Sequence, residues 1–239
     1  MATKKKIEKN NNSLRLAKAI EGKDLQKTYT IAEAVAVIKS CATAKFDESI
    51  DVALNLGVDV KQTDQNVRGV ITLPNGTGKK VRVAVFARDK KADEAKKAGA
   101  EIVGAEELIE KISKGEVNFD KCVATPDMMP LLGKVAKILG PKGLMPNPKL
   151  GSVTEDVATA VQNALAGQIE FRTDKGGIAH AIVGKASFKD DALIKNIKVL
   201  VSAIVKAKPS SSKGIYLKRL TLSSTMGPGV KVSIASVTE

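Results

Sequence analysis

The chain has 239 residues, 43% hydrophobic and 27% charged, with 39 Lys and Arg against 26 Asp and Glu and a formal net charge of +13. Such a length supports one to two domains around a real core, and the cationic excess favours a polyanion, because Lys and Arg neutralise phosphates and release condensed counterions. Five Phe, two Tyr and no Trp leave few rings for stacking unstructured bases, so folded RNA read through shape and backbone is favoured over a flexible single strand.

Met1 to Asn12 is rich in Lys and Asn, with Lys4, Lys5, Lys6 and Lys9 heading a polar arm unlike a signal peptide. No apolar run reaches the roughly 18 residues of a membrane-spanning helix, so no membrane partner is expected. Ser13 to Asp24 reads as a first helix, apolar at Leu14, Ala17 and Ile20. Thr30 then has the character of an N-cap, with Glu33 completing a capping box for a helix running to about Cys41.

Ser49 to Asp59 alternates without a break. Ile50, Val52, Leu54, Leu56 and Val58 alternate with Asp51, Ala53, Asn55, Gly57 and Asp59, the period of a strand with one wet face. After Asn75–Gly76–Thr77–Gly78 the rhythm changes to strands and helices in turn. A compact apolar strand covers Val81 to Ala87, a helix about Lys91 to Ala98, a strand Glu101 to Val103, and a helix Glu106 to Ser113. The strand Cys122 to Thr125 precedes helices over Asp127 to Leu139 and Thr154 to Leu165. From Gln168 the period of two returns, with a hairpin of Gln168 to Arg172 and Ile178 to Val183 turned at Thr173 to Gly177. A long amphipathic helix, Asp190 to Lys206, and strands near Ile215 to Ser224 and Val230 to Ile234 end the chain.

An isolated strand such as 49–59 is unstable, and the antiparallel-looking strands able to pair with it lie beyond residue 168. The expected architecture is α/β and α+β in two domains. A discontinuous α+β domain is built from 1–75 and 168–239, and a small Rossmann-like open α/β domain is inserted over 76–167. Charge follows the same division, with 15 basic and 12 acidic residues in the insert against 24 and 14 in the flanks. The discontinuous domain is therefore the expected RNA-binding one.

Catalytic chemistry finds little support. Gly76 to Lys80 lacks the Walker spacing, since Leu73 and Lys80 occupy the positions needing Gly and Ser or Thr, and a flexible interdomain hinge fits better. No GxGxxG follows the first strand of the insert, where Phe86–Ala87–Arg88–Asp89 stands instead. His180, the single histidine, has no local partners for a triad. Cys41 and Cys122 have no CxxC partner, which fits buried thiols in a reducing, cytosolic type of compartment. Neither a cofactor nor a metal is expected. The competing reading, a nucleotide-dependent α/β enzyme with a basic accessory domain, would need a phosphate loop, a metal cluster or a triad.

Three segments allow both a structural and a binding role. Leu139 to Lys149 packs two Gly, three Pro and two Lys into eleven residues, either a rigid loop or a stiff basic finger. Ser223 to Gly229 is a plain hairpin loop or a site where Thr225 meets a 2′-OH and Met226 lies on a sugar or base. Phe46, within Lys45 to Ser49, either plugs its own domain or faces a partner.

With Lys45 to Glu48, Thr63 to Gly69, Leu73 to Lys79, Asn118 to Asp127, Leu139 to Gly151, Asp174 to Phe188 and Ser224 to Gly227 in this order, the chain resembles the bacterial-type ribosomal protein L-one family. The resemblance implies two domains, the second inserted into the first. It also implies a place in the mobile stalk beside the tRNA exit site of the large subunit. The implied partners are folded large-subunit rRNA, exit-site tRNA, and the messenger RNA of its own operon, which such proteins repress. No homo-oligomer is expected, and localisation would be to cytoplasmic ribosomes. Carried over by position, the RNA-binding residues are Lys45, Phe46, Ser49, Thr225, Met226 and Gly227, with His180 and Lys185 nearby.

Overall fold

The computed structural model describes residues 15–238. In chain order the strands are β1 (Thr28–Tyr29), β2 (Ser49–Leu56), β3 (Arg68–Thr72), β4 (Val83–Phe86), β5 (Ile102–Gly104), β6 (Lys121–Ala124), β7 (Gln168–Thr173), β8 (Ile178–Lys185), β9 (Leu217–Ser224) and β10 (Gly229–Val232). The helices are α1 (residues 15–20), α2 (Ile31–Cys41), α3 (Asp89–Lys97), α4 (Glu106–Ser113), α5 (Met129–Leu132), α6 (Ala136–Leu139), α7 (Val157–Leu165), α8 (Asp190–Lys206) and α9 (Ala235–Thr238). This mixed α/β chain divides into two compact units. One comprises Met1–Gly78 and Ile169–Glu239; the other is Lys79–Gln168.

In the first unit the period-two strand β2 lies at the middle of a seven-stranded sheet of order β1-β10-β9-β2-β8-β7-β3. It pairs antiparallel with β8 on one side and β9 on the other. Its apolar set, Ile50, Val52, Leu54 and Leu56, is at most 2% exposed. These residues share a core with Ala34, Val35 and Ile38 of α2 and with Leu193, Ile197, Leu200 and Ile204 of α8. Removing one such side chain, for example by Leu54→Ala, typically costs about 2–5 kcal/mol. Helix α2 starts as its sequence requires: Thr30 caps it, and the Thr30–Glu33 capping box is complete in both directions.

The opposite sheet face is wet. Cross-strand neighbours share a face, and the register sets Ile182 and Ser223 beside Asp51, His180 and Thr221 beside Ala53, and Arg219 beside Asn55. His180, Arg219 and Ile182 are exposed, Ile182 to 47%. The β7–β8 turn is held by Asp174, whose Oδ1 accepts the N–H groups of Gly176 at 2.8 Å and Ile178 at 2.9 Å. Gly177 completes it at φ +73°, a conformation that side-chain-bearing residues rarely adopt.

In the second unit a three-stranded parallel sheet of order β5-β4-β6 is buried on both faces. Alternation along β4 sends Ala84 and Phe86 into one cluster with α4 and the 128–139 segment. Val83 and Val85 point into another with Ala95 of α3 and Val157, Val161 and Ala164 of α7. Continuous apolarity over Val83–Phe86 is what such a doubly covered strand requires.

Several expected elements change form. The single helix expected over Asp127 to Leu139 is a broken series: 3-10 turns at Pro126–Met128 and Gly133–Val135 separate α5 from α6. Pro130 lacks a backbone donor and Gly133 lowers helix propensity, so a continuous ladder is not favoured. The helix expected from Thr154 starts at Val157, because Asp156 caps it by accepting the Thr159 N–H at 3.2 Å. Strands β1 and β3 were not foreseen: two residues are too few to show periodicity, and β3 is a partly exposed edge of five. Gly69 within β3 leaves room for the Phe171 ring, which a Cβ would meet. The expected first helix is described only over residues 15–20, and the Lys-rich arm lies outside the described residues.

Candidate nucleic-acid interface

Strand β2 begins where the β9–β10 turn folds back over it, and this junction collects most of the expected binding residues. Ser49 and Thr225 are joined three ways. The Thr225 hydroxyl accepts the Ser49 N–H at 3.0 Å and lies 3.3 Å from the Ser49 carbonyl, to which it donates; the Thr225 N–H reaches the same carbonyl at 3.0 Å. A hydroxyl has one proton to give. With that proton committed to Ser49, Thr225 can meet a ribose hydroxyl only as an acceptor.

Glu48 anchors the junction from below. It is 2% exposed, and its carboxylate accepts the N–H of Ala44 at 2.9 Å and of Met226 at 3.0 Å. Burial pushes this carboxyl up, but the nearby Ser224 hydroxyl and the hydrogen bonds from those two backbone groups outweigh it and hold the pKa below the usual value. Gly227 closes the turn by donating to the Ser224 carbonyl at 3.2 Å; a Cβ there would collide with the Ser224 hydroxyl. Lys185, at the end of β8, donates to the Ser49 hydroxyl at 2.8 Å, and the Ser187 hydroxyl donates to Asp47 at 2.8 Å.

On this rigid base stand two large apolar side chains. Phe46 is 55% exposed and Met226 42% exposed, so Phe46 does not plug its own unit. Lys45 is exposed in the same bend. The structure therefore gathers Lys45, Phe46, Ser49, Lys185, Thr225, Met226 and Gly227 around one strand end. His180 is not part of this cluster. It faces Ala53 in the register, four residues further along β2 and about 13 Å away at the rise of a strand. There its Nε2 lies 3.6 Å from Asp174, on the wet face.

Glu48, Asp47, Ser187 and Ser224 belong to the arrangement and were not foreseen. An acidic residue beside a cationic patch gives no sequence signal for binding, since its role is to hold backbone donors rather than a ligand. Asp51 shares the wet face and is half-buried; burial raises its pKa, against the lowering influence of His180 and Lys185.

Groups of three or more His, Cys, Asp or Glu able to hold a metal are absent among the described residues, and none of their helices is long and apolar enough to cross a membrane. Cys41 and Cys122 are buried, and burial pushes the Cys122 thiol far up, away from nucleophilic use.

A family of ribosomal proteins, described as the ribosomal protein L1p/L10e family, matches residues 37–228. The matched span runs from within α2 to just past Gly227 and includes every residue of the junction. It is a family of structural constituents of the large ribosomal subunit, not of enzymes, and the chain belongs to the ribosomal protein L1p/L10e family.

Proposed function

We propose that the chain binds folded large-subunit rRNA through the β2–β9 junction, with Phe46 and Met226 against sugars or bases and Lys185 and Lys45 toward phosphates. One observation carries this reading. Two exposed apolar side chains are held on a hydrogen-bonded frame beside cations, which costs little ordering entropy on binding. Such a frame recognises the shape of a ribose-phosphate backbone rather than a base sequence, as folded RNA requires.

In this reading the bound RNA and protein form the mobile stalk beside the tRNA exit site, and the protein aids release of deacylated tRNA. A messenger RNA that copies the rRNA fold would occupy the same junction, so free protein would repress its own operon and rRNA would relieve that repression by competition. The partners are thus large-subunit rRNA, exit-site tRNA and the operon messenger RNA, with action on cytoplasmic ribosomes. The 1–75 and 168–239 segments would be the RNA-binding domain.

The test is filter binding of the purified chain to the large-subunit rRNA stalk fragment with excess tRNA as competitor at two salt concentrations. Tight binding surviving both is expected, and Met226→Asp should abolish it with little loss of stability. Wild-type affinity in that variant would remove the junction from the interface. Binding that collapses under competitor or salt would overturn specific rRNA recognition itself.

A further inference from the structure

The positive excess of the second unit is confined to one segment. Met128 to Thr154 contains Lys134, Lys137, Lys142 and Lys149 and no Asp or Glu; the rest of Lys79–Gln168 holds 11 basic and 12 acidic residues. Elsewhere in the unit Lys79 and Arg82 pair with Asp120, Arg88 with Glu106 and Lys96 with Asp93, and the exposed Lys97, Lys111 and Lys114 have acidic residues within four positions in the sequence. Lys134, Lys137 and Lys142 are exposed, and none takes part in the ion pairs of the described residues.

The backbone beneath them is firmly seated. Leu132, Val135 and Leu139, each at most 1% exposed, pin the broken helix to the core, and Leu144 and Met145 pack against the same cluster. Gly143 donates to Gly140 at 3.0 Å and Leu144 to Leu139 at 3.0 Å. The crest between these anchors is bare. Gly140, Pro141, Lys142 and Gly143 are exposed, and Gly133 and Gly143 face open space. This is a stiff, acid-free cationic ledge with close backbone access.

We propose that this ledge is a second RNA contact, one that takes the phosphate backbone of double-helical RNA without reading its sequence. Lysines are point charges on flexible stems, suited to phosphates rather than to the bidentate reading of base edges. No Phe, Tyr or Trp occurs between Phe119 and Phe171, so the ledge offers no ring on which unpaired bases would stack. Unpaired cations gain by releasing counterions, whereas those already bridged to Asp or Glu gain less. The contact goes beyond the junction's role and does not depend on it.

The experiment measures full-chain binding to an unrelated RNA duplex of about 16 base pairs over a range of salt, for wild type, for Lys134→Ala/Lys137→Ala/Lys142→Ala, and for Arg88→Ala/Lys96→Ala, two cations of the same unit that are bridged to anions. Three lost phosphate contacts should flatten the slope of log affinity against log salt by about 2–3 in the triple variant. Arg88→Ala/Lys96→Ala, which removes two cations already bridged to Glu106 and Asp93, should leave the duplex slope nearly unchanged. A triple variant with the wild-type slope and an unchanged melting temperature would overturn the ledge. So would an equal flattening of the slope in Arg88→Ala/Lys96→Ala. Failure of the wild type to prefer the rRNA stalk fragment over this duplex would strike the junction proposal and leave the ledge standing.

Discussion

The buried carboxylate of Glu48 accepts the backbone N–H of Met226 at 3.0 Å, joining residues 178 positions apart. Because the same carboxylate also holds Ala44, one acidic side chain sets the heights of both the Phe46 bend and the Met226 turn. Glu48→Gln leaves one acceptor oxygen and turns an amide donor toward a backbone N–H. A loss of about 1–3 kcal/mol in stability is expected from a mispaired buried group, with weakened rRNA affinity; urea denaturation and filter binding measure the two. The lowered pKa gives a pH signature as well. Above the unfolded carboxyl value of about 4.3 the stabilisation is fully present, and it is lost as pH falls through the lower folded value.

Thr225 exchanges two hydrogen bonds with Ser49 through its hydroxyl. Thr225→Val keeps the shape and removes both, so the melting temperature should fall by the equivalent of about 1–2 kcal/mol together with specific binding. Thr225→Ser should retain most of each. A Val variant as stable as the wild type would show that the backbone bond alone holds the turn.

Asp51 acts in the opposite sense to Glu48. Burial raises its carboxyl, so its stabilising contribution is present below the unfolded value and lost as pH rises through the folded one. Asp51→Asn should therefore raise the denaturation midpoint at pH 7 and tighten RNA binding by removing an anion from the wet face. The gain should disappear below about pH 4. An unchanged midpoint at pH 7 would contradict the assignment.

Asn196 is fully buried in α8 and ties β8 to the turn where the chain leaves the first unit. Its Nδ2 donates to Val183 at 2.7 Å and to Gly76 at 3.0 Å, and its Oδ1 accepts the Asn75 N–H at 3.2 Å. Asn196→Leu strands those backbone groups. A loss of at least about 2 kcal/mol is expected from the unpaired carbonyls, along with faster amide exchange at Asn75. Hydrogen exchange reads the second directly.

Local pattern was enough for much of the first unit. The alternation over Ser49–Leu56 follows from a strand's two-residue repeat, the Thr30–Glu33 box from its capping chemistry, and helix Asp190–Lys206 from an unbroken 3.6-residue period. Composition by itself also showed where cations exceed anions. Nearest-neighbour pattern could not reveal that β2 lies between β8 and β9. That register brings Glu48 and Ser49 to Ser224, Thr225 and Gly227, and turns Thr225 from a free hydroxyl into a clamp. It likewise leaves Phe46 exposed, separates His180 from the junction, and assigns a buried Asn to a distant turn. Side-chain periodicity is a property of a few successive residues, whereas these hydrogen bonds exist only once strands far apart in the chain share a sheet.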